Sequence, residues 1–218
     1  MHNVTVAERW TQERRRQHTR DLLLDAAEEV FSQRGFEGAS LEEIADTAGF
    51  TRGAIYKTFG NKAELFFAVS DQDFATKLQA FSDKIAESGD ALAEPAALAA
   101  MWRESIAGDQ ADLALNMEVR LYAMRNPDVT ARFAEHQRAT RRALTQFIVD
   151  TTERMGFAPN LAPATLAGIL EAASWGISES TAVDPDDAHL LDAFFELFVN
   201  AACAPQSTPR RALPQTAS

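Results

Sequence analysis

The sequence predicts an all-α fold: an N-terminal three-helix domain of the helix-turn-helix type, followed by a helical domain that brings the total to about nine helices. Apolar residues recur at spacings of three and four along most of the 218 residues, as on one face of a helix. Capping residues, glycines and prolines separate these stretches. No alternating apolar and polar run, bounded by turn residues, indicates a strand.

The first two helices are predicted from their ends. The first extends over about 13–34 and stops at Gly35, which offers a left-handed C-cap. Ser40 begins the second helix through a capping box with Glu43, and Gly49 ends it.

The third helix follows after a short turn. Thr51 is a suitable N-cap, and the helix extends over about 52–58. Ile55 and Phe59, four residues apart, are expected to face inward. Two short helices joined in this way predict a helix-turn-helix, which places its second helix in the major groove of DNA.

Asn61 caps a longer fourth helix, and the rest of the chain continues as helices, the last three of which begin at Asn126-Pro127, Pro163 and Asp184-Pro185. These helices are predicted at about 62–87, 94–107, 110–125, 127–155, 163–180 and 186–202. The predicted domains are a DNA-binding domain at 14–61 and a ligand-binding and dimerisation domain at 62–203, with flexible tails at 1–13 and 204–218.

Several classes of protein are not supported by the sequence. The single cysteine, Cys203, excludes a disulfide within the chain and a cysteine-based metal site, and the four histidines lack metal-ligand spacing. Motifs for nucleophilic, nucleotide or dinucleotide chemistry are missing, so we expect no enzyme, cofactor or metal. Neither a signal peptide nor a membrane-spanning run is found, and we expect a cytoplasmic protein.

The net charge of −11 is unusual for a protein that binds DNA, but its distribution resolves the conflict. Residues 71–218 carry 12 basic and 21 acidic residues, whereas residues 47–63 contain Arg52, Lys57, Lys62 and no acid. Since salt screens charges beyond about 8–10 Å, phosphates respond to the nearby cations.

The outward face of the third helix is the candidate DNA-binding surface. Arg52 can contact guanine or a phosphate, Tyr56 can donate its hydroxyl to a phosphate, and Gly53 allows close approach. Lys62 lies at a helix N-terminus, which favours an anion. The alternative is a solvated helix face with scattered charges, which the missing acids make less convincing.

Residues from about 17 to 66 resemble the N-terminal domain of the tetracycline-repressor (TetR) family of bacterial transcriptional regulators. The matching residues are LLLDAAEEVFSQRGFEGASLEEIADTAGFTRGAIYKTFGNKAELF. The resemblance implies a homodimer with an all-helical regulatory domain and an operator of two-fold symmetry. It also implies DNA-facing roles for Thr51, Arg52, Gly53, Tyr56, Lys57 and Lys62, and phosphate contacts from Ser40 and Thr58.

The resemblance further implies a ligand pocket enclosed by the middle helices. The candidate lining residues are Phe81, Met101, Trp102, Met117, Leu121, Tyr122 and Phe147. Their apolar bulk suggests a hydrophobic or aromatic effector. Asn116, Glu118 and Arg120 could orient a ligand, or could form a solvated face with local ion pairs.

The last helix is too apolar for one buried face. We expect one stripe, Leu190, Phe194, Leu197 and Ala201, to pack within the subunit, and the other, Leu191, Phe195, Phe198 and Ala202, to need a second copy. Trp175 and Gly176 on the preceding helix complete the predicted dimer interface. The alternative is a single thick core that covers both stripes.

The sequence therefore predicts a homodimeric repressor that a small-molecule effector releases from its operator. Two alternatives stay open: an activator of the same fold, and an enzyme or small-molecule-binding protein that carries a helix-turn-helix.

Overall fold

A computed structural model of the chain describes residues 11–89, 94–108, 110–156 and 158–202. Within these ranges the chain forms nine α-helices, one short 3-10 helix (Pro185–Ala188) and no strand, so the predicted all-α class is confirmed. The helices are α1 (Gln12–Gly38), α2 (Leu41–Ala48), α3 (Arg52–Phe59), α4 (Lys62–Ser88), α5 (Pro95–Ser105), α6 (Gln110–Arg125), α7 (Pro127–Met155), α8 (Pro163–Val183) and α9 (His189–Ala202). Of the predicted tails, 204–218 and residues 1–10 lie outside the described ranges. None of the described helices has both the length and the apolarity needed to span a membrane.

The end of α1 differs from the prediction in an informative way. Gly35 has φ 71° and ψ 176°, so the predicted stop is a kink inside α1 rather than its end. One further turn follows, and the N–H of Ala39 donates to the carbonyl oxygen of Gly35 at 3.3 Å. This backbone conformation is open to glycine and strained for other residues.

The structure shows one half of each predicted cap, the hydrogen bond to the side chain of the N-cap residue. Ser40 Oγ accepts a hydrogen bond from the N–H of Glu43 at 3.1 Å, and Asn61 Oδ1 accepts one from the N–H of Glu64 at 2.9 Å. The carboxylate of Glu64 is used elsewhere, since it accepts from Arg132 Nε at 2.7 Å. The backbone part of each cap is therefore local, whereas this glutamate serves a contact distant in sequence.

The chain divides into two compact units. Unit 1 comprises the described residues up to Gln79 together with Gly108–Thr140, and unit 2 comprises those of Ala80–Ala107 and from Arg141 onward. The division falls within α4 and within α7, and it groups α6 with α1–α3. The predicted boundary near residue 61 follows helix order rather than contacts and stays a prediction.

The core of unit 1 is built around phenylalanines of α1 and α4. The ring of Phe66 lies 5.4 Å from Phe31, 5.6 Å from Phe36 and 6.0 Å from Phe67, measured between centroids. All four side chains are buried, and Ile44 of α2 and Ile55 of α3 join the same cluster. Because aromatic side chains bury large apolar areas, this cluster fixes α2 and α3 against α1.

In unit 2 the two stripes of α9 are assigned the other way round from the prediction. Leu191 and Phe195 are buried, at 5% and 4% exposure, whereas Leu197 is 72% exposed. Both stripes are apolar, so their spacing could not decide which one faces the core. Trp102 of α5 decides it, because its ring lies 5.9 Å from that of Phe195. The side chains of Ala201 and Ala202 lie outside the description.

Candidate nucleic-acid interface and ligand cavity

Helix α3 has one buried apolar side chain and an exposed polar face. Ile55 is fully buried, whereas Arg52, Gly53, Tyr56 and Lys57 are exposed. This is the distribution that the sequence predicts for a helix whose outer face is free to enter a groove of DNA. The N-cap residue Thr51 is exposed too, and its side chain makes no capping hydrogen bond.

Arg52 and Tyr56 form a pair one turn apart on α3. Arg52 Nη2 donates to the Tyr56 hydroxyl oxygen at 2.8 Å, and the guanidinium carbon lies 5.3 Å from the centre of the ring. This hydrogen bond is the main reason that the pKa of Arg52 is raised. The hydroxyl keeps its own proton for another acceptor. Glu42 of α2 lies 3.4 Å from Arg52 Nη1, so a phosphate would compete with a carboxylate there.

Ser40 and Thr58, the two predicted phosphate contacts, differ in the hydrogen bonds that their hydroxyl groups make within the protein. Ser40 Oγ accepts a backbone hydrogen bond as the cap of α2, which leaves its proton available to an anion. Thr58 Oγ1 donates its proton to the carbonyl oxygen of Ala54 at 2.8 Å. Both residues are exposed.

The side chain of Lys62 donates hydrogen bonds within the protein. Its Nζ donates to the carbonyl oxygens of Phe36 at 2.7 Å, Ala39 at 3.0 Å and Glu37 at 3.4 Å. It also lies 4.7 Å from the centre of the Phe36 ring. An ammonium group has three protons, and three carbonyls take them here. Desolvation by burial lowers the pKa of Lys62. This geometry favours an anchoring role, and the DNA contact stays a prediction.

Glu118 of α6 holds the same segment from its amide side. Its Oε2 accepts from the N–H of Phe36 at 2.7 Å and from that of Glu37 at 3.4 Å. A Cβ on Gly35 would lie 2.9 Å from the carboxylate oxygens. Glu118 therefore neither orients a ligand nor forms a simple ion pair, as sequence reasoning had allowed. In the sequence, only Gly35 marked this segment, as a predicted helix stop. No sequence pattern indicated that the segment contacts α6.

Unit 2 contains a cavity of about 70 Å³. Three of the seven predicted pocket residues, Phe81, Trp102 and Phe147, line it. Phe195 and Phe198, which were predicted for the dimer interface, line it as well. The walls are otherwise aliphatic apart from two threonines of α7.

The other predicted pocket residues lie elsewhere. Met117 and Leu121 are exposed on α6, and Met101 is half-buried. Tyr122 packs on Phe36 in unit 1, with ring centres 5.0 Å apart. The large side chains of α6 that were predicted for the pocket therefore do not line the cavity.

The residues predicted for a dimer interface fall into two groups. Gly176 is exposed, and Trp175 and Phe198 are half-buried, whereas Leu191 and Phe195 are buried within the subunit. The exposed large apolar side chains of α8 and α9 are Ile169, Val183, Leu190 and Leu197.

His136 and Asp71 of unit 1 are in contact, but they do not make up a metal site. His136 Nδ1 lies 2.6 Å from Asp71 Oδ1, and the imidazole stacks on Phe67 with centres 5.3 Å apart. Across the described residues, no group of three or more His, Cys, Asp or Glu side chains could hold a metal ion.

Comparison with known proteins identifies relatives of the N-terminal part. Residues 23–69 match the family described as "Bacterial regulatory proteins, tetR family". The HTH-type transcriptional repressor AcnR of Corynebacterium diphtheriae is 30% identical over 121 residues, which are 55% of this chain and 57% of AcnR. The HTH-type transcriptional regulator TtgR of Pseudomonas putida is 51% identical over 55 residues, 25% of this chain and 26% of TtgR. The chain thus matches between about a quarter and somewhat over half of these relatives' length.

The similarity in fold extends further along the chain. The transcriptional regulator FadR of Bacillus subtilis, solved in complex with stearoyl-CoA, aligns with a TM-score of 0.58 at 18% identity. The alignment covers 83% of this chain and 98% of FadR. At this identity the alignment establishes a common fold.

Proposed function

The chain belongs to the TetR family of bacterial regulatory proteins, and we propose that it is a homodimeric, sequence-specific DNA-binding regulator of transcription. The observation that carries this proposal is the outer face of α3. It exposes Arg52, Tyr56 and Lys57 around Gly53, on a helix that Ile55 anchors in the core. Thr51 and Ser40 border this face with free hydroxyl protons.

We propose a dimer formed by the outer faces of α8 and α9. Ile169, Val183, Leu190 and Leu197 are exposed there, and Gly176 allows a partner helix to approach closely. Several exposed apolar side chains on two helices that contact each other suit an interaction surface. Leu190 and Leu197 replace the buried Leu191 and Phe195 in the interface predicted from sequence. Two-fold symmetry would present two copies of α3 to successive major grooves about 34–36 Å apart.

The regulator is proposed to be a repressor that a hydrophobic or aromatic effector releases from DNA. The cavity of unit 2 is the site for that effector, since apolar concave sites are where small molecules bind. The name of the relative AcnR, a repressor, favours repression over activation. The relatives are regulators, and we propose a cytoplasmic protein without catalytic activity.

Selection of duplexes from a randomised DNA pool, followed by gel-shift titration, tests the proposal. The selected duplex should contain an inverted repeat. Arg52→Ala should weaken its binding by about 1–3 kcal/mol, the usual value of a good base contact. Arg154→Ala on α7 removes the same charge far from α3 in sequence and should bind as the parent does. Unchanged affinity and sequence preference in Arg52→Ala would contradict the assignment.

A further inference from the structure

Residues 36–39 are the last turn of α1 and its C-cap, and we call them the junction turn. The junction turn begins after Gly35, whose φ of 71° interrupts α1, and it ends directly before Ser40, the N-cap of α2. The first amides of a helical turn lack acceptors within that turn, and its last carbonyls lack donors. In the junction turn, side chains from two other helices supply both.

Glu118 of α6 and Lys62 of α4 hold opposite ends of the junction turn. Oε2 of Glu118 accepts from the N–H of Phe36 at 2.7 Å and from that of Glu37 at 3.4 Å. Nζ of Lys62 donates to the carbonyl oxygens of Phe36 at 2.7 Å and Ala39 at 3.0 Å. A carboxylate near the N-terminal end of a turn and an ammonium group near its C-terminal end both suit the direction of the helix dipole. Charge therefore reinforces the hydrogen bonds at both ends.

Helix α6 is a fixed support for the Glu118 carboxylate. Val119, the next residue, is 1% exposed and belongs to the core cluster of unit 1. Tyr122, one turn further along α6, packs its ring on that of Phe36 with centroids 5.0 Å apart. The helix that carries Glu118 thus also packs on the junction turn through an aromatic side chain.

The position of the junction turn determines where α2 begins, because no residue separates it from Ser40. Helix α2 contacts α3, and Glu42 of α2 lies 3.4 Å from Nη1 of Arg52 on α3. A displaced junction turn would therefore move the helices that carry the candidate DNA-binding surface. The Glu118 carboxylate acts on that surface through the backbone, from a helix outside the helix-turn-helix.

We propose that Glu118 is a positioning residue for DNA binding, which fixes the junction turn and thereby the orientation of α2 and α3. The consequence for DNA rests on the proposed function, whereas the hold on the junction turn does not. The alternative is a contact that only stabilises the fold. The two roles differ in the sign of one effect. Removing a negative charge from a protein that binds a polyanion should strengthen binding or leave it unchanged, unless the lost group positions the binding surface.

Gel-shift titration of the selected duplex with Glu118→Ala, Glu118→Gln and Asp112→Ala tests the proposal. Asp112 is the matched control, since it also lies on α6 but its carboxylate accepts from Lys77 Nζ of α4 at 3.3 Å. Glu118→Ala should weaken binding about 5- to 20-fold, because only the molecules with the correct orientation bind. Glu118→Gln retains an acceptor oxygen and should stay within about 3-fold of the parent. Asp112→Ala should bind as tightly as the parent or more tightly.

Hydrogen exchange measures the junction turn directly. The amides of residues 36–39 should exchange faster in Glu118→Ala than in the parent, and at the parent rate in Asp112→Ala. The base preference of Glu118→Ala and its slope of log affinity against log salt concentration should be those of the parent, because the groups that contact DNA are unchanged. The titrations are run at a temperature at which circular dichroism shows every variant fully folded, so that lower stability by itself does not reduce binding.

Four results would overturn the proposal: parental or tighter binding by Glu118→Ala, an equal loss in Asp112→Ala, an equal loss in Glu118→Gln, or unchanged exchange in the junction turn. The variant Arg52→Ala separates this proposal from the proposed function. If Arg52→Ala loses the duplex and Glu118→Ala does not, the DNA-binding role stands and the positioning role fails. If the parent selects no duplex, the proposed function fails, and only the hold on the junction turn, which hydrogen exchange measures, can stand.

Discussion

Units 1 and 2 both pack around buried aromatic residues, but unit 1 also holds its backbone with polar side chains. In unit 1, polar side chains are added to the aromatic core: Glu118 accepts hydrogen bonds from the amides after Gly35, and Lys62 donates to carbonyl oxygens of the same segment. In unit 2, aromatic rings such as those of Phe81 and Trp102, 5.3 Å apart, pack around an incompletely filled space. Hydrogen bonds with fixed donors and acceptors define one geometry, whereas apolar contacts tolerate repacking. The difference suits a rigid recognition surface in one unit and an adaptable pocket in the other.

The largest effect should come from truncating a core aromatic residue in each unit. Phe67→Ala removes a fully buried ring of unit 1 and should lower the free energy of unfolding by about 3–5 kcal/mol. Phe195→Ala enlarges a cavity that already exists in unit 2 and should cost less, at about 3 kcal/mol or below. Urea denaturation of both variants at one protein concentration measures the difference. An equal or larger cost for Phe195→Ala would remove the contrast in packing.

The next effect concerns the kink in α1. Gly35→Ala introduces a side chain at φ 71° and against Glu118, and should cost about 2–3 kcal/mol. Gly53→Ala is the matched control, since its Cβ would meet only Thr51 Oγ1 at 3.6 Å within α3. It should gain about 0.5–1 kcal/mol from higher helix propensity. Thermal melting compares the two, and a tolerated Gly35→Ala would show that the kink is not fixed.

A comparison of Lys62 with Lys57 distinguishes a lysine that holds the protein backbone from one that contacts DNA. Lys62→Met leaves three backbone carbonyls without their donor and should lower stability by about 1–3 kcal/mol. Lys57→Met removes an exposed charge, so it should leave stability unchanged and weaken duplex binding. It should also reduce the slope of log affinity against log salt concentration by about 1. Full stability in Lys62→Met would return that residue to the DNA-contact set.

The smallest effect tests the outer face of unit 2. A Cβ on Gly176 would meet no atom of the described chain within 4 Å, so Gly176→Ala should stabilise a single subunit by about 0.5–1 kcal/mol. If a partner helix packs there, the same methyl group should raise the dimer dissociation constant in sedimentation experiments. An unchanged constant would place the dimer contact elsewhere.

The N-terminal caps of α2 and α4 and the outer face of α3 were predictable from sequence because they depend on residues within four positions of one another. Ser40 caps the N–H three residues ahead, and Ile55 sets which side of α3 is buried. The local absence of acids identified the same face by its charge. Each of these signals is complete within a short stretch of chain.

Tertiary structure alone decided the partners of Lys62 and Glu118, the choice between the stripes of α9, and the wall of the cavity. Phe36 and Glu118 are 82 residues apart, and no periodicity relates them. Both stripes of α9 satisfy the same spacing, so only the position of Trp102 selects Phe195 over Leu197. Sequence patterns specify the face of a helix, but which surface meets that face depends on contacts between distant parts of the chain.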